Sequence, residues 1–196
     1  EAKTVVVVPT LLPDAERVRE LFEQLEVYYL ANAMDHLYFA LLGDFTDRQE
    51  EHAQTDQEIL ETGAQEAARL NAIYGNEGED RFFFFCRRPL YNPRENRWMG
   101  WERKRGKLEE FNALLKGVRD TTFLQELPPE LEGVKYVITL DADTNLVRDT
   151  ARRLIGAMAH PLNRPLLDAK RGIVVAGYGV LQPRIGISVV SAASTL

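Results

Sequence analysis

Two carboxylates set one residue apart, Asp141 and Asp143, close an apolar run in the stretch K-Y-V-I-T-L-D-A-D-T-N at residues 135–145. The β-branched and aromatic content of residues 136–140 reads as a buried strand. Side chains two apart on a strand point to one side, so both carboxylates can converge at its C-terminal end. In open α/β sheets that end is where ligands bind. Two hard oxygen ligands suit Mg2+ or Mn2+, ions that complete their shells with water and substrate phosphates. The pair points to metal-assisted chemistry on a phosphate or diphosphate. Asp is also common in turns after strands, so the spacing alone leaves a plain turn open.

A second chemical feature is a basic island. Residues 87–107 hold Arg87, Arg88, Arg94, Arg97, Arg103, Lys104, Arg105 and Lys107 against only Glu95 and Glu102, in a chain whose net charge is −6. Such an island on an acidic body argues for a local anionic ligand and against nucleic acid as a partner. Tyr91, Trp98 and Trp101 are interleaved with the charges. Arg and Lys can hold diphosphate oxygens, and Trp offers a flat apolar face to a sugar ring. The alternative is a solvated loop with tryptophans tucked beneath it. With Pro93, Gly100 and repelling like charges, residues 94–105 are expected to be mobile without ligand.

Gly43-Asp44-Phe45-Thr46-Asp47 follows the second apolar run. An acid there can accept hydrogen bonds from a base or ribose, or simply sit in a solvated turn. His36, His52 and His160 are scattered without ligand spacing, and Gly177-Tyr178-Gly179 has no phosphate-binding helix after it. Neither a nucleophile elbow nor a P-loop is present.

The elements that must position these groups alternate. Residues 4–9 (T-V-V-V-V-P) form a continuous strand pattern, as expected of a strand buried on both faces. Asp14 can cap a helix with Val18, Leu21, Phe22, Leu25, Tyr28 and Tyr29 on one face. A second strand over 36–42 is halted by Gly43-Asp44. Thr55-Asp56-Gln57-Glu58 has capping-box spacing and opens a helix to about Tyr74. A third strand is expected over 81–86, a helix over 107–116 ended by Gly117, and the fourth strand runs to Asp141. A helix over 149–159 stops at Pro161, and 172–181 reads as a further strand. The alternation indicates an α/β fold with a mostly parallel central sheet.

Length and composition fit one globular domain with a real core: 196 residues, 45% hydrophobic and 28% charged. No run is long enough to span a membrane, and no signal peptide is visible. The single cysteine, Cys86, lies in F-F-F-F-C and reads as a core thiol of a reducing compartment. Glu1 stands directly before a strand and Leu196 ends S-V-V-S-A-A-S-T-L without a stop signal, so both ends are expected to be cuts through a longer protein.

In order along the chain come Val8-Pro9-Thr10, Gly43-Asp44, R-K-R-G-K-L-E-E-F-N-A-L-L-K-G (103–117), Y-V-I-T-L-D-A-D-T (136–144) and G-Y-G-V-L-Q-P-R-I-G (177–186). Together these resemble processive inverting glycosyltransferases of the cellulose and chitin synthase class. More narrowly they resemble the glycosyltransferase segment of bacterial cyclic β-1,2-glucan synthases. The resemblance implies a GT-A fold, the Rossmann-like fold of nucleotide-diphospho-sugar transferases, over residues 1–196 as a single domain. It implies transfer of glucose from UDP-glucose to a glucan acceptor, in an enzyme of the bacterial inner membrane with this domain facing the cytoplasm. By motif position, Pro9, Thr10 and Asp44 would line the uridine pocket. Lys104 and Lys107 would face the diphosphate, Asn112 would brace their helix, and Gln182 would lie near the acceptor. Asp141 and Asp143 would hold Mg2+ or Mn2+. The carboxylate base that inverting transfer requires is expected beyond Leu196. Two alternatives stay open: a phosphotransferase of the haloacid-dehalogenase type, although Asn145 stands where its Thr should be, and a non-catalytic nucleotide-sugar or glucan-binding module.

Overall fold

The computed structural model describes residues 2–76 and 78–183. Glu1, Glu77 and 184–196 lie outside the described residues, and with them Arg184-Ile185-Gly186 of the last motif. The chain divides into two compact units, Glu1–Ala151 and Arg152–Leu196.

The first unit is built on a parallel four-stranded sheet in the order β3-β2-β1-β6. Its strands are β1 (Thr4–Leu12), β2 (Leu37–Phe45), β3 (Phe82–Arg87) and β6 (Tyr136–Thr139). Every residue of β2 and β3 is buried, which is why these stretches read as unbroken apolar runs. Helices α1 (Ala15–Asn32) and α2 (Thr55–Tyr74) connect β1 to β2 and β2 to β3. Between β3 and β6 come a short hairpin, β4 (Leu90–Asn92) with β5 (Arg97–Met99), and helix α3 (Arg103–Leu115). The order is Rossmann-like. The chain steps outward from β1 through β2 to β3, then returns to place β6 on the other side of β1. The crevice between β1 and β6 is therefore the topological switch point, where open α/β sheets bind ligands.

Side-chain alternation assigns the faces. Val5 and Val7, Tyr38, Ala40 and Leu42, and Phe83 and Phe85 form one core with Phe111 and Leu114 of α3 and with Phe123, Leu127 and Leu131. The opposite face meets α1 and α2, with Phe22 against Phe84 and Tyr29 against Phe39 and Phe82. Gly63 lets α2 close on β3, since a Cβ there would stand 2.4 Å from the Phe84 ring.

Asp14 caps α1 as expected, accepting from Arg17 N at 2.8 Å. The capping box at Thr55 is not formed: Thr55 is itself the first helical residue. The carboxylate of Asp56 instead accepts from Ala53 N and pairs with Arg48. Gly43-Asp44 does not halt β2. The strand continues to Phe45, pairing Gly43 with Thr10 and Cys86 and Asp44 with Leu11 and Arg87. Residues 94–105 form the hairpin's turn and second strand and the first turn of α3. Arg48 and Trp98 exchange backbone hydrogen bonds of 3.0 and 2.8 Å that fasten the hairpin. Cys86 is fully buried, and burial pushes its thiol upward.

Helix α4 (Thr150–Ala159) ends before Pro161 as expected and runs into the second unit. That unit holds an antiparallel pair, β7 (Leu166–Asp168) and β8 (Ile173–Ala176). The strand expected over 172–181 is thus four residues long, and it pairs in a hairpin because residues 166–168 supply a local partner.

Candidate functional site

Three rows of core side chains run up the α3 face of the sheet, and two of them end in charges at its C-terminal edge. On β2 the row is Tyr38, Ala40, Leu42 and then Asp44; on β3 it is Phe83, Phe85 and then Arg87. Asp44 and Arg87 are register partners on neighbouring strands. Their pairing is bidentate, Nε to Oδ1 at 2.7 Å and Nη2 to Oδ2 at 2.9 Å, the strong fork geometry of an arginine–carboxylate pair. Arg87 uses its other donors on Glu110 Oε2 (2.7 Å) and on the carbonyls of Trp101 and Arg103 (3.1 Å each). All five guanidinium N–H groups are therefore satisfied without water.

Helix α3 brings a second cation to the same place. Lys107, Phe111 and Leu114 form its buried stripe. The Lys107 ammonium pairs with Asp44 Oδ2 at 3.0 Å and donates to the carbonyls of Thr10 and Leu42. Burial lowers its pKa against the opposing pull of Asp44. Its three donors are thus committed to the ends of β1 and β2 and to Asp44. Lys107, expected to face a diphosphate, and Asp44, expected to line a uridine pocket, are here buried and paired with each other. Both shape the wall. They also explain why the Gly-Asp pair is no turn: the ion pairs hold it in the strand.

Lys104 is different. One turn earlier on α3 it is exposed, and its ammonium meets the Asp141 carboxylate. Asp141 follows β6, whose pairing with β1 is prolonged by Leu140 N bonding Val7 O at 3.0 Å. Asp143 is likewise exposed, in a tight turn closed by Thr144 N on Asp141 O at 2.9 Å. The sheet order thus brings Lys104 and Asp141 together at the switch point, with Asp143 two residues on. Pro9 is buried and Thr10 half-buried at the end of β1 beside them. Asn112 is exposed on α3, and Gln182, in the second unit, is exposed. Among the described residues no group of three or more His, Cys, Asp or Glu side chains could cage a metal. Two exposed carboxylates are a donor set of hard oxygens suited to an ion that keeps water and substrate oxygens in its shell.

The loop carrying these carboxylates is gripped by helix α1. Tyr28 Oη donates to Thr144 O at 2.5 Å. One turn further, Asn32 donates to Leu146 O at 3.2 Å and accepts from Ala151 N at 3.0 Å. Burial raises the Tyr28 phenol's pKa, with Asp143 adding to the rise. Sequence reasoning placed Tyr28 only on the core face. Asn32, a buried amide at the end of an apolar stripe, was the available signal.

No family model matches the chain. Over 185 residues it is 51% identical to the cyclic beta-(1,2)-glucan synthase NdvB of Rhizobium meliloti (strain 1021), a match covering 94% of this chain and 6% of that enzyme. The similarity thus runs over nearly the whole of this chain and one short region of that synthase, in line with the resemblance carried by the motifs at 103–117 and 136–144.

Proposed function

We propose that this chain is the donor-binding part of a GT-A glycosyltransferase that moves glucose from UDP-glucose onto a growing β-glucan, in the synthesis of cyclic β-(1,2)-glucan. The observation that carries this reading is the meeting of Lys104 with Asp141, beside Asp143, at the switch point of a parallel sheet. The similarity to a glucan synthase supports the same chemistry. Donor, metal and stereochemistry are our reading.

Asp141 and Asp143 would hold Mg2+ or Mn2+, and the ammonium standing on Asp141 marks the edge as one that favours positive charge. When bound, the ion would neutralise charge on the diphosphate as its bond to glucose breaks. Lys104, freed from Asp141, reaches a diphosphate oxygen and stabilises the same developing charge. Thr10 and Pro9 line the nucleotide side, with the end of β1 fixed by Lys107 on the Thr10 carbonyl and by Asp44 behind it. An acceptor hydroxyl attacks the anomeric carbon from the face opposite UDP, which inverts it. The base that takes the hydroxyl proton is assigned to no residue described here. Within the whole enzyme this part would face the cytoplasm at the inner membrane. Among the described residues no helix is long and apolar enough to cross a membrane.

Calorimetry with UDP, with and without Mn2+, tests the reading. The chain should bind UDP in a metal-dependent way and polymerise no glucan alone, since losing a general base typically costs about 10²–10⁴-fold in rate. Asp143→Asn should abolish metal-dependent binding and leave the fold intact, because the side chain is exposed. Equal UDP and metal binding by that variant would overturn the metal assignment, and glucan made by the wild-type chain would overturn the missing base.

A further inference from the structure

The hairpin and the turn before α3 enclose a cavity of about 450 Å3, within the size range of small-ligand sites. Two of its lining residues are aromatics with exposed faces: Tyr91, 46% accessible, and Trp101, 42% accessible. Both are braced from behind. The Trp101 indole lies on the first turn of α3 over Gly106, where a Cβ would stand 2.6 Å from Trp101 Cε3. The Tyr91 ring packs on Trp98 at 5.6 Å between centroids, and its hydroxyl donates to Asn96 Oδ1 at 2.6 Å. The cavity thus has two rigid, flat, apolar surfaces facing solvent, an arrangement costing little ordering when a ligand stacks.

The charges around it balance. Arg103 is paired with Asp47 at 2.7 Å and Glu95 at 3.1 Å, and Glu102 with Arg105 at 3.0 Å. The lining as a whole sets Arg94 and Arg103 against Glu95 and Glu102, so its formal charges cancel and the cavity offers an anion no net positive charge. Its planar carboxylate and guanidinium groups remain able to bond vicinal hydroxyls. Flat aromatic faces with neutralised polar groups between them suit a neutral polyol. Trp101 stands three residues before Lys104.

We propose that this cavity binds a stretch of neutral β-linked glucan beside the donor site, with Tyr91 and Trp101 as stacking platforms. The proposal deepens the reading given under Proposed function and rests on it.

The test is calorimetric titration of the chain with a β-(1,2)-linked glucose tetrasaccharide, with UDP plus Mn2+ titrated separately on the same proteins. Saturable tetrasaccharide binding is expected, weakened about tenfold by Tyr91→Ala and by Trp101→Ala and restored to within about threefold by Trp101→Phe, which keeps a flat ring. UDP binding should be unchanged in Tyr91→Ala. Tetrasaccharide affinity unaltered in both alanine variants would overturn the proposal. So would no tetrasaccharide binding at millimolar concentration by a wild-type chain that binds UDP. A chain that binds the tetrasaccharide through these aromatics but never UDP would instead refute the donor reading and leave the cavity a glucan site.

Discussion

Replacing Arg87 with Met tests whether the buried charge cluster builds the site. The methionine fills much of the volume but donates to none of the five acceptors that Arg87 serves. Breaking a buried ion pair by removing one partner typically costs about 3–5 kcal/mol. Two features place Arg87→Met near the lower end. Asp44 keeps Lys107 as a partner, and Glu110, partly exposed, keeps Thr122 Oγ1 at 2.7 Å and can recover water. About 3 kcal/mol is a large share of the ~5–15 kcal/mol that holds a typical protein folded. With a urea m-value of ~1–3 kcal/mol/M, the midpoint should fall by about 1–3 M in unfolding followed by circular dichroism at 222 nm. Asp44→Asn in the same background should add less than it costs alone, because the two residues share one network. A loss under about 1 kcal/mol, which an exposed pair can supply, would refute the claim that this is a dry, fully committed cluster.

Two other outcomes follow from the packing and the protonation equilibria. Gly63→Ala should lower the melting temperature, with overpacking of about 1–3 kcal/mol against Phe84 outweighing ~1 kcal/mol of better helix propensity; Phe84→Leu in that background should recover part of the loss, and a rise in melting temperature would contradict the 2.4 Å approach. The Tyr38 phenol, raised from 10.0 to about 12 by burial and by its hydrogen bond to Glu79, is protonated in the folded state where the unfolded chain has lost its proton. Its contribution is whole below pH 10.0 and is lost as pH rises towards about 12, so wild type should lose stability faster than Tyr38→Phe across that window; parallel urea midpoints would sink the assignment.

The framework was legible where local chemistry and tertiary demand agree. The T-V-V-V-V run, the Asp14 cap and the stripe from Val18 to Tyr28 each needed only short-range rules, and the structure keeps them. The strand before Asp141 placed the carboxylates at the sheet's C-terminal edge for the same reason. Gly43-Asp44 failed those rules because its conformation is decided by Arg87 and Lys107, residues 43 and 63 positions away in the chain. Lys104 and Lys107 look interchangeable in K-R-G-K. Three residues along a helix set one against the core stripe and the other at the rim, and which is which depends on where α3 docks. The partners of the basic island were hidden from the sequence in the same way. Two of its arginines meet acids from elsewhere in the fold, Arg87 with Asp44 and Glu110 and Arg103 with Asp47.

The grip of α1 on the Asp141–Asp143 loop bears on the order of events during folding. Tyr28 and Thr144 are 116 residues apart, and Asn32 and Ala151 are 119 apart. The central strand β1 is made before the other elements of the unit, yet its second neighbour, β6, arrives only after α1, β2, α2, β3 and α3. Contacts that must close over such separations form late and slow the reaction, because loop entropy is lost before they reward it. The switch-point crevice is thus the last part of the first unit to exist, and it is not formed until nearly all of that unit has emerged. The crevice and the completed first unit arrive together, so any ligand that recognises the crevice also recognises a folded first unit.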